Sequence, residues 1–385
     1  MLIDRLAKPI VGGTVRRTLS IQAASLSHRR AGLPADRTEA RPSWNEIRNS
    51  SCGSNGRQSL TKNDIPAGVH PFLRTTRSFS ASPSASTPIL PSSEKFEPPQ
   101  TSGDADRHSP IIILHGLFGS KQNWRSLAKR LSQATLKTVY TLDLRNHGES
   151  QATPGFTSYL DYSSDIKHFI TTNNLRNVIL IGHSMGGKVA MSLALESSIS
   201  PHEADSKLID KLIAVDISPA KGPISESFQV YIDGFKEINS SCVSSRKQAD
   251  EILTKYEPDL GRRQFLLTNL KPVERGASEA GGPKFEIRLP VEVLEAQLSS
   301  NQVGDFPFAL PPSSGPDSPQ EAPVRFEKPS LFIKGARSKY INKYNIPAIA
   351  AFFKGHKLVV LDTDHWVHAE KPNEFIQIVV DFVQE

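Results

Sequence analysis

At 385 residues, with 37% hydrophobic and 22% charged side chains, the chain has the make-up of ordinary globular protein and is long enough for one large α/β domain plus appendages. Its longest apolar runs, such as residues 346–353, fall far below the roughly 20 residues that a membrane-spanning helix needs, so no transmembrane segment is expected. The formal charge of +6 does not point to a nucleic-acid groove, because residues 1–80 hold eleven Arg and two Lys against three Asp and two Glu and the remainder is close to neutral.

Residues 1–80, rich in Arg and Ser and poor in acids, have the composition of a mitochondrial transit peptide, and Arg77-Ser78-Phe79-Ser80-Ala81-Ser82 resembles a matrix-protease cleavage region. The bland alternative is a disordered tail without an address. Residues 81–108 read as linker. The two cysteines are Cys52 and Cys242. Once the leader is removed only Cys242 remains, and no intrachain disulfide is expected.

From residue 109 the chain alternates. Pro110 opens Ile111-Ile112-Ile113-Leu114, a short apolar run of the parallel-sheet kind. After His115-Gly116-Leu117-Phe118-Gly119-Ser120, a helix carries Trp124, Leu127, Ala128 and Leu131 on its apolar stripe. A second strand is predicted over 139–144. It is followed by a helix capped by Thr157 or Ser158, with Tyr159, Tyr162, Ile166, Phe169 and Ile170 facing inward. Strands ending near residues 181 and 217 come next, so the predicted sheet is doubly wound and mostly parallel, with the core formed by residues 109–218 and 328–385. Between them, residues 219–327 show helical spacing (Phe228, Ile232, Phe235; Ala249, Ile252, Leu253; Phe265, Leu266, Leu270) and no strands. They read as a helical lid over the carboxyl edge of the sheet, interrupted by loops at 271–284 and 309–323. The core resumes with strands at 331–334 and 357–361, a helix over 346–353 and a last helix begun by Pro372.

Gly182-His183-Ser184-Met185-Gly186 is a G-x-S-x-G turn between strand and helix, a nucleophile elbow. Such a turn strains the serine backbone and needs neighbours without bulk, a need that Gly182 and Gly186 meet. It leaves the Ser184 hydroxyl at a helix N-terminus, with the Met185 N–H as the nearest donor to an oxyanion. The loop after the first strand offers the second donor, the Leu117 N–H, with Gly116 allowing close approach. A serine hydroxyl also needs an imidazole base and a carboxylate to orient that base. His365, directly after the final strand, has the required placement; His368 competes, with a hydrogen-bonded loop anchor as its alternative role. The acid is less routine, because residues 329–361 hold no Asp or Glu and Ser338 stands where a carboxylate is expected. Candidates are Asp216 at the end of the preceding strand, Asp362 and Asp364, both suited to turn chemistry so near His365, and Asp143, whose alternative is to brace the backbone of 145–147.

These residues, with Phe118-Gly119-Ser120-Lys121, Asn123-Trp124, Arg263-Gln264-Phe265-Leu266-Leu267-Thr268-Asn269-Leu270, Gly304-Asp305-Phe306-Pro307 and His365-Trp366-Val367-His368-Ala369-Glu370-Lys371-Pro372, resemble the mitochondrial α/β-hydrolases. That family includes the abhydrolase-domain-eleven proteins, their bacterial esterase relatives and the fungal ethanol acetyltransferases. The resemblance spans about residues 109–385. It implies the α/β-hydrolase fold, a mitochondrial matrix location, Asp216 as the acid beside Ser184 and His365, and a serine esterase or thioesterase working through an acyl-enzyme. The alternative it implies is acetyl transfer from acetyl-CoA to ethanol. Two departures from the family pattern stand out: no pair of opening strands is visible before Pro110, and the lid loops are long. A third reading is a non-catalytic, protective partner of a mitochondrial enzyme complex. With neither a metal-ligand cluster nor a phosphate-binding Gly-rich loop in the sequence, no cofactor, metal or nucleic-acid partner is expected.

Overall fold

The computed structural model describes residues 87–99, 109–155, 157–273, 284–310 and 324–385. The predicted leader, with Cys52, and most of both predicted lid loops lie outside the described residues. In chain order the core opens with β1 (Ser93–Phe96), β2 (Ile111–Leu114), a 3-10 turn at Lys121–Trp124, α1 (Arg125–Thr135), β3 (Val139–Leu142) and α2 (Tyr159–Thr172). Next come β4 (Val178–His183), α3 (Met185–Ile199), the single turn α4 (Glu203–Ser206) and β5 (Ile209–Val215). The insertion carries α5 (Ser227–Ser240), α6 (Arg246–Leu253), α7 (Leu260–Leu266), a 3-10 turn at Leu267–Asn269, β6 (Leu270–Pro272), β7 (Phe285–Ile287) and α8 (Val291–Ser299). The core closes with β8 (Ser330–Gly335), α9 (Ile346–Phe352), β9 (Lys357–Leu361), α10 (Val367–Glu370) and α11 (Pro372–Gln384).

Seven strands form one sheet in the order β1-β3-β2-β4-β5-β8-β9. All neighbours are parallel except β1, which runs antiparallel to β3. β4, the strand that leads into Ser184, is therefore the middle of seven, and the chain reverses its direction of winding between β2 and β4. Loops leaving the carboxyl ends of those two strands open on the same crevice. Alternate residues of β2 serve opposite cores. Ile112 and Leu114 join the core shared with α2, α3 and the insertion, while Ile111 and Ile113 join the one under α1 and α11. The predicted inward face of α11, Phe375, Ile376, Val379, Phe382 and Val383, is buried as expected. Ser158 is the cap of α2, exchanging bonds with Asp161 (Asp161 N–H to Ser158 Oγ 3.2 Å, Ser158 N–H to Asp161 Oδ2 2.7 Å).

Two expectations need correction. Ser93–Phe96, within the predicted linker, is a strand; its sequence Ser-Glu-Lys-Phe has no apolar run, and it is held by the backbone ladder to β3 and by Arg125 on Glu94 (2.7 Å). The insertion is not wholly helical either. β6 and β7 pair antiparallel, Leu270 opposite Ile287. Three-residue strands are too short for an alternation to show in sequence.

The insertion is tied to the core by polar contacts beneath it. Tyr159 Oη donates to the Val303 carbonyl (2.7 Å), and the buried Lys188 ammonium donates to the carbonyls of Gly304 (2.9 Å) and Asp305 (2.7 Å). Burial pushes the Lys188 pKa down to about 8. Among the described residues no helix is long and apolar enough to cross a membrane.

Candidate active site

The elbow is built by exclusion of side-chain volume. Ser184 has φ 52° and ψ −119°, a sparsely populated conformation costing about 1–3 kcal/mol that only a tightly determined surrounding maintains. A Cβ on Gly182 would lie 2.2 Å from the Gly186 carbonyl oxygen, and one on Gly186 would lie 2.4 Å from that of His115. The Ser184 N–H bonds to the Val215 carbonyl (3.0 Å), continuing the β4–β5 ladder into the turn and locking its height.

Asp216 follows β5 directly. It is wholly buried and has φ 48°. Its Oδ1 accepts the Gly335 N–H (3.0 Å) and its Oδ2 accepts from His365 Nδ1 (2.8 Å), so the carboxylate is fully engaged and the ring is aimed. Gly335 is required here for space, since a Cβ would lie 2.1 Å from the Asp364 carbonyl oxygen. His365 also packs against Tyr340 (4.3 Å between ring centres). Its carbonyl accepts from Nε2 of His183 (3.0 Å), the residue just before Ser184. Burial holds the His183 pKa well below the usual imidazole range, so it is a neutral donor.

The loop after β2 contributes the backbone. Neither the Leu117 nor the Met185 N–H has a hydrogen-bond partner among the described residues. Gly116 lies so close to the elbow that a Cβ would sit 2.9 Å from His183 Nδ1 and 3.2 Å from Ser184 Cβ. Ser184, His365, Gly116 and Leu117 line one cavity of about 570 Å³. The insertion adds Phe228 and Phe265, and Trp366 completes the apolar wall.

The remaining candidates have other partners. Asp143 accepts the Lys121 ammonium (2.6 Å), the Lys121 N–H (2.6 Å) and the Glu149 N–H (2.8 Å). It braces two loops, though not through the backbone of 145–147 as expected. Asp362, Asp364 (2.9 Å) and Glu370 (3.2 Å) all turn to the guanidinium of Arg337. His368 is an anchor, but by stacking: its ring lies 4.1 Å from that of Trp124 at 11°, while its Nδ1 is buried without a hydrogen bond. Burial pushes its pKa down to about 3. Sequence reasoning missed His183 and Tyr340 as supports of His365, and Arg337 as the clasp of the loop that carries it. His183 stands inside the elbow and could have drawn notice; Arg337 and Tyr340 lie only 28 and 25 residues before His365, but no motif or spacing marks them.

A family model described as alpha/beta hydrolase fold matches residues 109–239. A probable alcohol acetyltransferase of Saccharomyces cerevisiae is 36% identical over 74% of this chain and 80% of its own length. The chain belongs to the α/β-hydrolase family. Within it, this α/β-hydrolase is also similar to the sn-1-specific diacylglycerol lipase ABHD11 of Danio rerio, 33% identical over 88% of the present chain and 95% of the relative. Among solved structures, a marine microorganism esterase shares 30% identity at a TM-score of 0.62, covering 76% of this chain and 99% of that one.

Proposed function

We propose that this α/β-hydrolase is a serine hydrolase of carboxylic esters or thioesters, with Ser184 as nucleophile, His365 as base and Asp216 as the orienting acid. The observation that carries this reading is the 2.8 Å bond from His365 Nδ1 to a wholly buried Asp216 carboxylate, at a ring that shares its cavity with Ser184. With Nδ1–H committed to Asp216, Nε2 holds the lone pair that takes the Ser184 proton as Oγ attacks the acyl carbonyl. The Leu117 and Met185 N–H groups receive the negative charge on the carbonyl oxygen. The proton passes from Nε2 to the departing alkoxide or thiolate, and an acyl-enzyme remains. Water, deprotonated by the same nitrogen, releases the acid. An alcohol in its place makes a new ester, a second reading favoured by the yeast relative's name.

One experiment addresses both readings. A chromogenic acetate ester, and separately acetyl-CoA with ethanol, are supplied to the protein and to Ser184→Ala, with free acetate and ethyl acetate quantified. Wild type is expected to turn over, and Ser184→Ala to lose about 10⁴-fold or more together with all fluorophosphonate labelling. Labelling retained in Ser184→Ala would sink the assignment.

A further inference from the structure

The Leu117 N–H belongs to the same peptide unit as the Gly116 carbonyl, and in a trans peptide the two point in opposite directions. That carbonyl is bound from behind by His115 Nδ1 (2.8 Å) and the Gly119 N–H (2.9 Å). In the next peptide, the Phe118 N–H donates to His147 Nε2 (3.2 Å). In the one after, the Phe118 carbonyl accepts from Nδ2 of Asn269 (2.8 Å). Three successive peptide planes are thus pinned around one N–H. Phe118 itself sits at φ 60°, a left-handed conformation that a phenylalanine keeps only when its surroundings impose it. Its ring packs on Phe228 (5.8 Å) and Phe235 (5.3 Å) of α5.

The two side chains that hold Phe118 come from different parts of the molecule. His147 belongs to the core loop after β3. Its Nδ1 faces the Arg145 carbonyl (3.0 Å), which can only accept, so the ring is the Nδ1–H tautomer with a free lone pair on Nε2. Burial pushes its pKa down to about 3, keeping that lone pair available at neutral pH. Asn269 belongs to the lid's 3-10 turn, is fully buried, and leaves its Oδ1 without a partner. An amide buried with one end unpaired is a poor way to fill space; what it supplies is a directed donor.

We propose that Asn269 and His147 are positioning residues of the oxyanion hole: acting on the two sides of Phe118, they keep the Leu117 N–H aimed into the cavity. The lid is then a working part of the transition-state site as well as its cover. This rests on the serine-hydrolase reading above.

The test uses the full chain, with Asn269→Ala, Asn269→Asp, His147→Phe and His147→Gln, the last restoring an acceptor at the reach of Nε2. For each, kcat and KM on a short ester are measured beside Tm and the inhibition constants of a trifluoromethyl ketone, which mimics the tetrahedral adduct, and of its unfluorinated parent. Removing a direct oxyanion donor costs about 10²–10³ in turnover, so losing a support should cost about 10–100-fold in kcat with KM within about twofold. Trifluoromethyl-ketone affinity should fall by the same factor, the parent ketone should bind unchanged, and His147→Gln should return most of what His147→Phe loses. Unchanged kcat in Asn269→Ala and His147→Phe would overturn the proposal. So would a loss confined to KM, or a lower Tm with analogue affinity intact. Should one substitution at Asn269 prevent folding, the His147→Phe and His147→Gln pair decides by the same criteria. A wild-type protein without Ser184-dependent turnover would instead reject the serine-hydrolase reading, and this inference with it.

Discussion

The elbow and the histidine loop bring their side chains to one cavity by unlike means. Around Ser184 the constraints are steric and mostly local: glycines at 182 and 186 stand where a single added carbon would meet backbone at 2.2 and 2.4 Å. Around His365 they are polar and distant, from Asp216, 149 residues earlier in the chain, and from His183, 182 residues earlier. A steric motif of this kind tolerates no added atom. A polar one tolerates no lost or reversed hydrogen bond.

The largest expected effect breaks the polar side. Asp216→Asn preserves size but favours the wrong His365 tautomer, and kcat should fall by about 10⁴. Asp362→Asn and Asp364→Asn, whose carboxylates face Arg337 at the surface, should stay within about threefold. Ester hydrolysis by the three purified variants decides it, and a collapse in Asp364→Asn with Asp216→Asn active would move the acid into the histidine loop.

On the steric side, Gly186→Ala places its methyl group against the carbonyls of Leu114 and His115 at the end of β2. Backbone cannot swing aside as a side chain can, so a loss of about 3 kcal/mol is expected, read as a Tm lower by roughly 6–10 °C. A variant as stable as wild type would show that the turn has slack the distances deny.

The smallest effect separates the two regions by pH. His183, which packs against His365, and His368, which packs against His183, are held neutral by burial, with pKa values below the ordinary one. The unfolded chain therefore binds more protons below about pH 6.5, so the stability they contribute is complete above that pH and declines as pH falls toward the folded values. Each such histidine adds a slope of about 1.4 kcal/mol per pH unit. His368→Phe, which keeps the stacking on Trp124, should remove one such increment from urea-unfolding free energies compared between about pH 6.5 and 5. An unaltered slope would mean that His368 titrates as a solvated histidine.

Much of this molecule was legible in one dimension. Ile111-Ile112-Ile113-Leu114, the stripe of α11 and the glycine spacing around Ser184 report on contacts within a few residues, and sequence periodicity carries that information directly. Sequence alone determined the α/β alternation, the position of the insertion and the elbow. Only the tertiary structure decided which carboxylate faces His365, and which side chains hold Phe118. The same holds for Ser93–Phe96 and the β6–β7 pair, which are strands through backbone hydrogen bonds that leave no mark on side-chain pattern. The physical reason is range. Local sterics and amphipathic spacing are written in neighbouring residues, whereas a hydrogen bond such as that from Asn269 to Phe118, 151 residues apart, exists only once the sheet and its cover have brought the two ends together.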